Sequence, residues 1–394
     1  MISNDVLDDK TLVVFDEIHK LKSITGIRAN NIIEMLNKCP SRPIYKLALT
    51  GTPLPNSYLD LYNYLRILYA DDLNGFLGIF SENKLKNANE NQIMAKDIQD
   101  NLHPLFTRTT KKDLNIPLAN PDDLDTLSVN PSEGEIKLFE LIHKAYKNPL
   151  LKFIRLIQAS SNPSLILKEI NFNDFQYLYD DNDYLLKQLQ SNNIDDESLF
   201  KQQKIELINR IGISSKTKQT INFIKNNASK NRKMIVWCLF LDTIELLKSE
   251  LKNAGFKCTS ITGCDDIKIR DQKLEEFKNG DTEILITNPN TLAESVSLHQ
   301  ICHDAIYLEF GFNLTYLLQS KDRIHRVGLK EGTQTNYFFA LAKPRGLFDS
   351  IDMKIYERLQ QKATRMISTI ESDNLIPFND TADIEDINNI LDNK

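Results

Sequence analysis

The sequence predicts an α/β protein with two parallel-sheet lobes joined by a mostly helical insertion. Short apolar runs that fit buried strands alternate with stretches of helical periodicity, as βαβ units require. Polar residues or glycine directly follow several of these runs, which is typical of open α/β sheets that bind ligands at the carboxyl ends of their strands. The length of 394 residues is enough for two or three domains.

The bulk composition excludes several classes of protein. The net charge is -6, so any surface for nucleic acid must be a local basic patch. No apolar run reaches the roughly 18 residues of a transmembrane helix, and the first residues lack the basic region of a signal peptide. The five cysteines form no C-x-x-C pair, so we expect buried thiols in a reducing cytosol. We therefore expect a cytoplasmic protein that does not contact the membrane.

The first predicted element is a buried parallel strand at residues 12–15. It runs directly into Asp16 and Glu17, with His19 two positions further on. Adjacent carboxylates at a strand end suit metal–phosphate chemistry, where one holds Mg²⁺ through water and the next orients or deprotonates the attacking water. Loops are rich in acidic residues, so a plain loop explains this pair equally well when it is taken alone.

A second strand end carries small polar residues. A helix is predicted from about residue 24 to residue 37, and a strand follows at residues 44–49. This strand runs into Thr50, Gly51 and Thr52. Hydroxyl groups in a loop stiffened by glycine and proline can sense a neighbouring phosphate site, although a simple strand–turn–helix junction is the alternative.

The rest of the chain divides into a helical segment and a second α/β lobe. Apolar residues spaced along one helix face begin near residue 131, and the stretch up to residue 213 predicts a helical spacer without recognisable chemistry. The predicted segments are a first lobe at residues 1–130, a helical insertion at 131–213, a second lobe at 214–345, and a C-terminal helix with an acidic, solvated tail at 346–394. Strands in the second lobe are predicted at 234–238, 260–261, 284–286, 305–308 and 335–340.

An arginine pair near the end of the second lobe is a candidate anion site. Arg323 and Arg326 lie three positions apart, and on a helix such positions share one face. Two guanidinium groups that converge on one point favour an anion there, and their geometry suits phosphate oxygens. The alternative is a solvated basic helix end.

Four motifs together resemble the Swi/Snf-type family of superfamily-two helicases and DNA translocases. They are D-E-x-H at 16–19, T-G-T-P-x-x-N at 50–56, R-x-x-K-K-D at 108–113 and Q-x-x-x-R-x-H-R-x-G at 319–328. The resemblance implies two RecA-like lobes, with residues 309–313 close to the family's D-x-x-W-N. The loop at residues 293–299 departs from the family pattern, because its glycines are replaced.

The resemblance also implies a function and roles for single residues. It implies ATP hydrolysis coupled to movement on double-stranded DNA, with ATP and Mg²⁺ bound between the lobes. Asp16 would hold Mg²⁺ through water and Glu17 would position the attacking water, while Arg323 and Arg326 would stabilise charge on the γ-phosphate. The other implied residues are His19, Thr50, Gly51 and Thr52 near the nucleotide, Gln319 in coupling, and Arg108, Lys111 and Lys112 as candidate DNA contacts, for which a solvated basic turn is an equal alternative.

One expected element is missing from the sequence. No glycine is followed by Lys-Ser or Lys-Thr, so there is no G-x-x-x-x-G-K-[ST] loop to cradle the phosphates. We therefore expect an incomplete first lobe in which the strand at 12–15 has an unpaired side, and no ATP hydrolysis by this chain alone. The chain would be part of a longer motor or a subunit whose partner carries the cradle. The alternatives are a non-hydrolysing module that binds nucleic acid or a partner, and the helicase subunit of a restriction or phage-defence system.

Overall fold

The computed structural model divides the chain into two compact units. Unit 1 comprises residues 1–114 and 364–382, and unit 2 comprises residues 115–363 and 383–394. The structure describes residues 10–38, 45–51, 53–54, 57–69, 76–109, 124–170, 201–229, 232–292, 296–330, 332–343, 350–371, 377, 387–388 and 390–391. Each unit is α/β with a parallel sheet, so the predicted fold class is confirmed.

Unit 1 is built around a two-stranded sheet. Strand β1 (Leu12–Phe15) pairs in parallel with strand β2 (Tyr45–Ala48), and helix α1 (Ile27–Asn37) makes the crossover between them. The helices that follow are α2 (Leu61–Leu68), α3 (Phe76–Ile79), α4 (Glu82–Ala88) and α5 (Gln92–Leu102). Polar caps explain where two of them begin, because Ser81 accepts from the amide of Lys84 and Asn91 accepts from the amide of Ile93.

The two strands of unit 1 are covered on one face only. Phe15 and Ala48 point into the core that packs around residues such as Tyr64 and Leu85. The opposite face is open, with exposed fractions of 58% for Leu12, 46% for Val14, 63% for Tyr45 and 46% for Leu47. The prediction that residues 12–15 form a buried strand is therefore wrong for one face. Within the described part of the chain this sheet has two strands, and the helices that bury its apolar residues pack on a single side.

Unit 2 contains a six-stranded, all-parallel sheet. Its strands are β3 (Leu124–Val129), β4 (Lys233–Trp237), β5 (Cys258–Ile261), β6 (Ile284–Thr287), β7 (Cys302–Tyr307) and β8 (Asn336–Ala342). They lie in the order β3-β8-β7-β4-β6-β5. The central strands are buried on both faces, as the continuous apolar runs in the sequence predict.

Strand β3 was not predicted from the sequence. It lies within residues 1–130, which were assigned to the first lobe, but it pairs in parallel with β8 at the edge of the second sheet. Its residues are mostly exposed, and Leu127 and Val129 are half-buried. The apolar pattern of this segment is therefore too weak to identify a strand from the sequence. The segment 124–129 therefore moves to the second sheet, and the other segment boundaries stay predictions.

The remaining helices follow strand β3 in the chain. Their bounds are α6 (Glu133–Ala145), α7 (Pro149–Ser161), α8 (Lys201–Ile211), α9 (Ser215–Asn227), α10 (Leu241–Asn253), α11 (Ile267–Asn279), α12 (Pro289–Leu292), α13 (Leu314–Lys321) and α14 (Ile351–Glu371). The described parts of 131–213 are thus mostly helical, as predicted. Residues Ile387 and Ile390 of the acidic tail are buried, so these two positions are not solvated.

Two further predictions concern membranes and thiols. None of the helices that the structure describes is long and apolar enough to cross a membrane. Cys238, Cys258 and Cys302 are buried free thiols, as expected, whereas Cys264 is exposed. Cys39 lies outside the described residues.

Candidate functional site

In unit 1 the candidate residues lie together at the carboxyl ends of β1 and β2. The two chain segments stay paired beyond the strands, because the amide of Leu49 donates to the carbonyl of Phe15 (2.9 Å) and the amide of Ile18 donates to the carbonyl of Leu49 (3.1 Å). Asp16 and Glu17 leave β1 at this point, and Thr50 leaves β2. Parallel pairing therefore places the predicted acidic pair next to the predicted hydroxyl loop.

The backbone at Glu17 is in the left-handed region, with φ 52° and ψ 47°. Among the described residues other than glycine, Glu17 has a positive φ. This backbone conformation costs about 1–3 kcal/mol. A hydrogen bond from the amide of Glu17 to Oδ1 of Asp16 (2.9 Å) helps to hold this turn. Asp16 is exposed and the Glu17 side chain is 35% exposed, so the strained turn presents two accessible carboxylates.

His19 links the two strand ends. Its Nδ1 atom lies 3.1 Å from Oε2 of Glu17 and 2.9 Å from Oγ1 of Thr50. The imidazole is 5% exposed. One buried ring nitrogen thus couples the acidic end of β1 to the hydroxyl group that follows β2.

The remaining residues of the T-G-T-P loop are only partly described. Gly51 is exposed, and a Cβ added there would meet nothing within 4 Å, so packing does not require glycine at this position. Thr52 lies outside the described residues.

In unit 2 the arginine pair is not on a helix. Helix α13 ends at Lys321, and Asp322 to Ile324 form a turn. The prediction that Arg323 and Arg326 share a helix face is therefore wrong. Gln319 lies in the last full turn of α13 and is half-buried. The spacing of apolar residues in the sequence continues the helical pattern as far as Ile324. In the structure Ile324 lies in the turn after α13, and its side chain is fully buried in the core.

The two arginines differ in their surroundings. Arg323 is buried, and its guanidinium donates to the carbonyls of Gln319 (Nε, 3.1 Å) and Val296 (Nη1, 3.2 Å). Arg326 is exposed, and its side chain makes no hydrogen bond or ion pair with the described residues. Of the two, Arg326 is therefore the arginine that is ready to meet an external anion.

A histidine that the sequence pattern did not single out lies beside Arg326. His299 is buried, and its Nδ1 atom lies 3.0 Å from Oγ of Ser297. Burial lowers the pKa of His299, and the charge of Arg326 lowers it further. The only signal in the sequence is that His299 falls in the loop whose glycines are replaced.

These groups lie at the edge of the sheet opposite to the usual ligand edge. Residues 296–299 precede β7, and Arg323 and Arg326 precede β8. At the carboxyl ends of the strands, Glu309 accepts from the amides of Leu239 (2.8 Å) and Phe240 (3.0 Å). The Glu309 carboxyl group is thus bound within the fold at that end, and the candidate anion site lies at the other.

A buried ion pair occupies the same carboxyl edge. Nζ of Lys216 lies 2.7 Å from Oδ1 of Asp352, and both side chains are buried. Oδ2 of Asp352 accepts from the amide of Ala342 at the end of β8 (2.9 Å). Helices α9 and α14 are thereby tied to the end of the sheet.

The basic segment predicted to contact DNA is only partly described. Arg108 is half-buried, and its Nη1 atom is buried without a hydrogen bond to the described residues. Lys111 and Lys112 lie outside the described residues.

Comparison with known proteins places both units in one family. The SNF2-related domain matches residues 6–210, which is more than half of the chain, and the Helicase conserved C-terminal domain matches residues 215–328. The fold and the strand-end residues define a two-unit α/β protein of the helicase class. The chain belongs to the SNF2-related, Swi/Snf-type family of superfamily two.

Several curated proteins are similar to the chain over most of its length. The "Uncharacterized ATP-dependent helicase MG018" of Mycoplasma genitalium is 24% identical over 83% of this chain and 28% of that protein. "ATP-dependent helicase FUN30" of Saccharomyces cerevisiae is 23% identical over 89% of this chain and 35% of that protein. "ISWI chromatin-remodeling complex ATPase ISW1" of the same yeast is 20% identical over 89% and 29%. The chain therefore spans about a third of the length of these relatives.

A solved structure is also similar. The crystal structure of the C-terminal part of the Fun30 ATPase domain covers 62% of this chain and 97% of that chain, with 16% identity and a TM-score of 0.38.

Proposed function

We propose that the chain supplies catalytic residues to an ATP-dependent motor that moves on double-stranded DNA. The observation that carries this proposal is the buried His19, which joins the carboxylate of Glu17 to the hydroxyl group of Thr50 at neighbouring strand ends. Membership in the SNF2-related family supports it, and so do relatives named as ATP-dependent helicases.

In unit 1 the exposed carboxylates would serve metal and water. Mg²⁺ prefers oxygen ligands and keeps several waters, so a single exposed carboxylate such as Asp16 fits it. When bound, the metal would neutralise phosphate charge. Glu17 would orient or deprotonate the attacking water, while His19 fixes the position of its carboxylate.

In unit 2 the arginines would stabilise charge on the transferred phosphate. Arginines in this role contribute about 10³–10⁵ in rate to related phosphoryl transfers. The exposed Arg326 would make this contact directly. Arg323 would do so after exchanging its bond to the carbonyl of Val296, and Gln319 would couple the two arginines to the nucleotide state.

DNA would be bound through its phosphates. Arg108, Lys111 and Lys112 supply positive charge in an otherwise acidic chain. Contacts of this kind are insensitive to base sequence and weaken as salt rises. Thr50, Gly51 and Thr52 would transmit the nucleotide state to this surface.

The phosphate cradle would come from polypeptide outside this sequence, which contains no Gly-Lys-Ser or Gly-Lys-Thr. The open apolar face of β1 and β2 supports this proposal, since parallel sheets are normally covered on both faces. A partner that adds strands to the edge of this sheet and helices over this face would supply the cradle and bury Leu12 and Tyr45.

An alternative follows from the same missing cradle. The chain would then be a non-hydrolysing module that binds nucleic acid or a partner in the cytoplasm. A helicase subunit of a restriction or phage-defence system is a second setting for the motor, and a cradle encoded beside this sequence would favour it over the module.

Measurement of ATP turnover separates these functions. We expect no DNA-stimulated hydrolysis by the purified chain alone. We expect hydrolysis after mixing with a polypeptide, encoded next to this one, that carries the Gly-Lys-Ser/Thr cradle, and its loss with Glu17→Gln. Turnover by the chain alone that disappears with Glu17→Gln would show that the site is already complete. DNA binding without turnover, with no cradle in any neighbouring coding sequence, would support the non-hydrolysing module.

A further inference from the structure

Two loops at the amino-terminal edge of the second sheet are tied together. The amide of Leu298 donates to the carbonyl of Arg323 (2.8 Å), and Nη1 of Arg323 donates back to the carbonyl of Val296 (3.2 Å). These reciprocal bonds hold the loop before β7 against the loop before β8. The backbone carbonyl and the guanidinium of Arg323 thus join the two loops.

His299 lies between the same two loops, further along the chain than Leu298. Its Nδ1 atom is paired with Oγ of Ser297, and its Nε2 atom faces Gly328, where an added Cβ would lie 3.4 Å away. Gly328 has φ +92°, in the left-handed region that favours glycine. The imidazole therefore packs against the turn at Gly328, two residues after Arg326.

Burial and one neighbouring charge favour the neutral form of the His299 ring. Burial and the charge of Arg326 both lower its pKa from the ordinary histidine value near 6.5. Among the described residues, His303 on β7 interacts with His299, and its own pKa is lowered by burial and, in part, by His299, while Asp304 raises it. A neutral ring fills space beside Arg326 without adding a second positive charge.

We propose that His299 is the positioning residue of the Arg326 loop, holding the turn at Gly328 so that the guanidinium of Arg326 stays directed outward to receive a polyphosphate. This inference rests on the proposed function, which assigns Arg326 to a nucleotide phosphate. Arg323 shows the competing outcome, since its guanidinium is bound to backbone carbonyls. Loss of the ring would leave space beside Gly328 and give Arg326 the freedom to fold back in the same way.

Binding of tripolyphosphate to the full chain tests the affinity. We expect His299→Ala to weaken binding about tenfold, which corresponds to roughly 1.4 kcal/mol. His299→Gln, which keeps a polar side chain of similar reach, should recover most of this loss. Lys330→Gln is the matched control, because it removes an exposed charge in the same loop but not one beside His299. Thermal melts of each variant show whether it is folded, and the effect of Arg326→Gln on the His299 ring, described next, is the test if His299→Ala does not fold.

Nuclear magnetic resonance of the histidine rings gives a readout that a purely structural role would not move. The chain has six histidines, and the signal lost in His299→Gln assigns this ring. Tripolyphosphate should raise the pKa of His299, because the bound anion offsets the charge of Arg326. Arg326→Gln should raise the pKa without the anion and abolish the response.

The two proposals fail in different ways. Tripolyphosphate binding that is equally tight in wild type and in His299→Ala, or a His299 pKa that ignores Arg326→Gln, would overturn the positioning role and leave the proposed function standing. Equal binding by wild type and Arg326→Gln would instead count against the phosphate role of Arg326 itself.

Discussion

The Nδ1 atom of His19 lies 2.9 Å from Oγ1 of Thr50, although the two residues are 31 positions apart in the sequence. This contact joins the ends of β1 and β2 and involves a ring that is almost wholly buried. A buried polar atom that loses its partner destabilises the fold by more than the net value of the bond.

We predict that Thr50→Val lowers the free energy of unfolding of unit 1 by about 1 kcal/mol. The change removes the hydroxyl group while keeping a β-branched side chain of similar shape, and Glu17 remains as a second partner of the ring. Urea unfolding, or hydrogen exchange at the amides of β2, measures this loss. Thr50→Ser keeps the hydroxyl group and is the control, so equal stability of the two variants would contradict the prediction.

Substitutions of the two arginines should affect stability very differently. We expect Arg323→Ala to destabilise unit 2 by about 2–3 kcal/mol, because it leaves the partly buried carbonyls of Gln319 and Val296 without their donor. Arg326→Ala should change stability by less than about 0.5 kcal/mol, since this side chain is exposed.

Chemical denaturation of the two arginine variants side by side is the measurement. Comparable losses would mean that Arg323 does not hold the loop before β7.

The ion pair between Lys216 and Asp352 gives a third prediction. Both side chains are almost fully buried, so removing one partner leaves the other charge uncompensated. We expect Lys216→Met to cost about 3–5 kcal/mol. Adding Asp352→Leu should restore part of this loss, though not all, because the amide of Ala342 would lose its acceptor.

A double-mutant cycle on thermal or urea unfolding measures the coupling between Lys216 and Asp352. Additive effects of the two changes would rule the pair out as a stabilising unit.

Glu309 predicts a pH dependence of stability. Burial raises the pKa of this carboxyl, and its hydrogen bonds to Phe240, Ser161 and Leu239 offset only part of the effect. Its folded pKa therefore lies above the ordinary glutamate value of about 4.3. Between these two values the folded state binds more protons than the unfolded state, so stability falls as pH rises through this window.

Glu309→Gln removes the carboxyl group that titrates. The free energy of unfolding of the variant should therefore lack the part of the decrease with rising pH that Glu309 causes. We expect the difference between wild type and variant to shift in favour of the variant as the pH is raised from about 4.3 to neutrality. Urea titrations at a series of pH values measure the difference. A constant difference across that range would argue against a raised pKa for Glu309.

The open face of the sheet in unit 1 shows what a local sequence pattern cannot predict. Residues 12–15 read as a buried strand because Leu, Val, Val and Phe are all apolar. Their strand conformation and parallel pairing follow from that pattern, but burial depends on what packs against each face. Phe15 meets the core, while Leu12 and Val14 on the alternate face remain exposed.

The sequence by itself determined the α/β class, the central strands of the second sheet and the family, because these depend on apolar periodicity and on motifs of adjacent residues. It also placed residues 16–17 and 50–51 at the carboxyl ends of two strands, where open α/β sheets bind ligands. Tertiary structure decided that β3 joins the second sheet, that α13 ends before Arg323, and that His299 lies beside Arg326. These features depend on contacts between distant segments, whose energies exceed the local preferences that a sequence pattern reports.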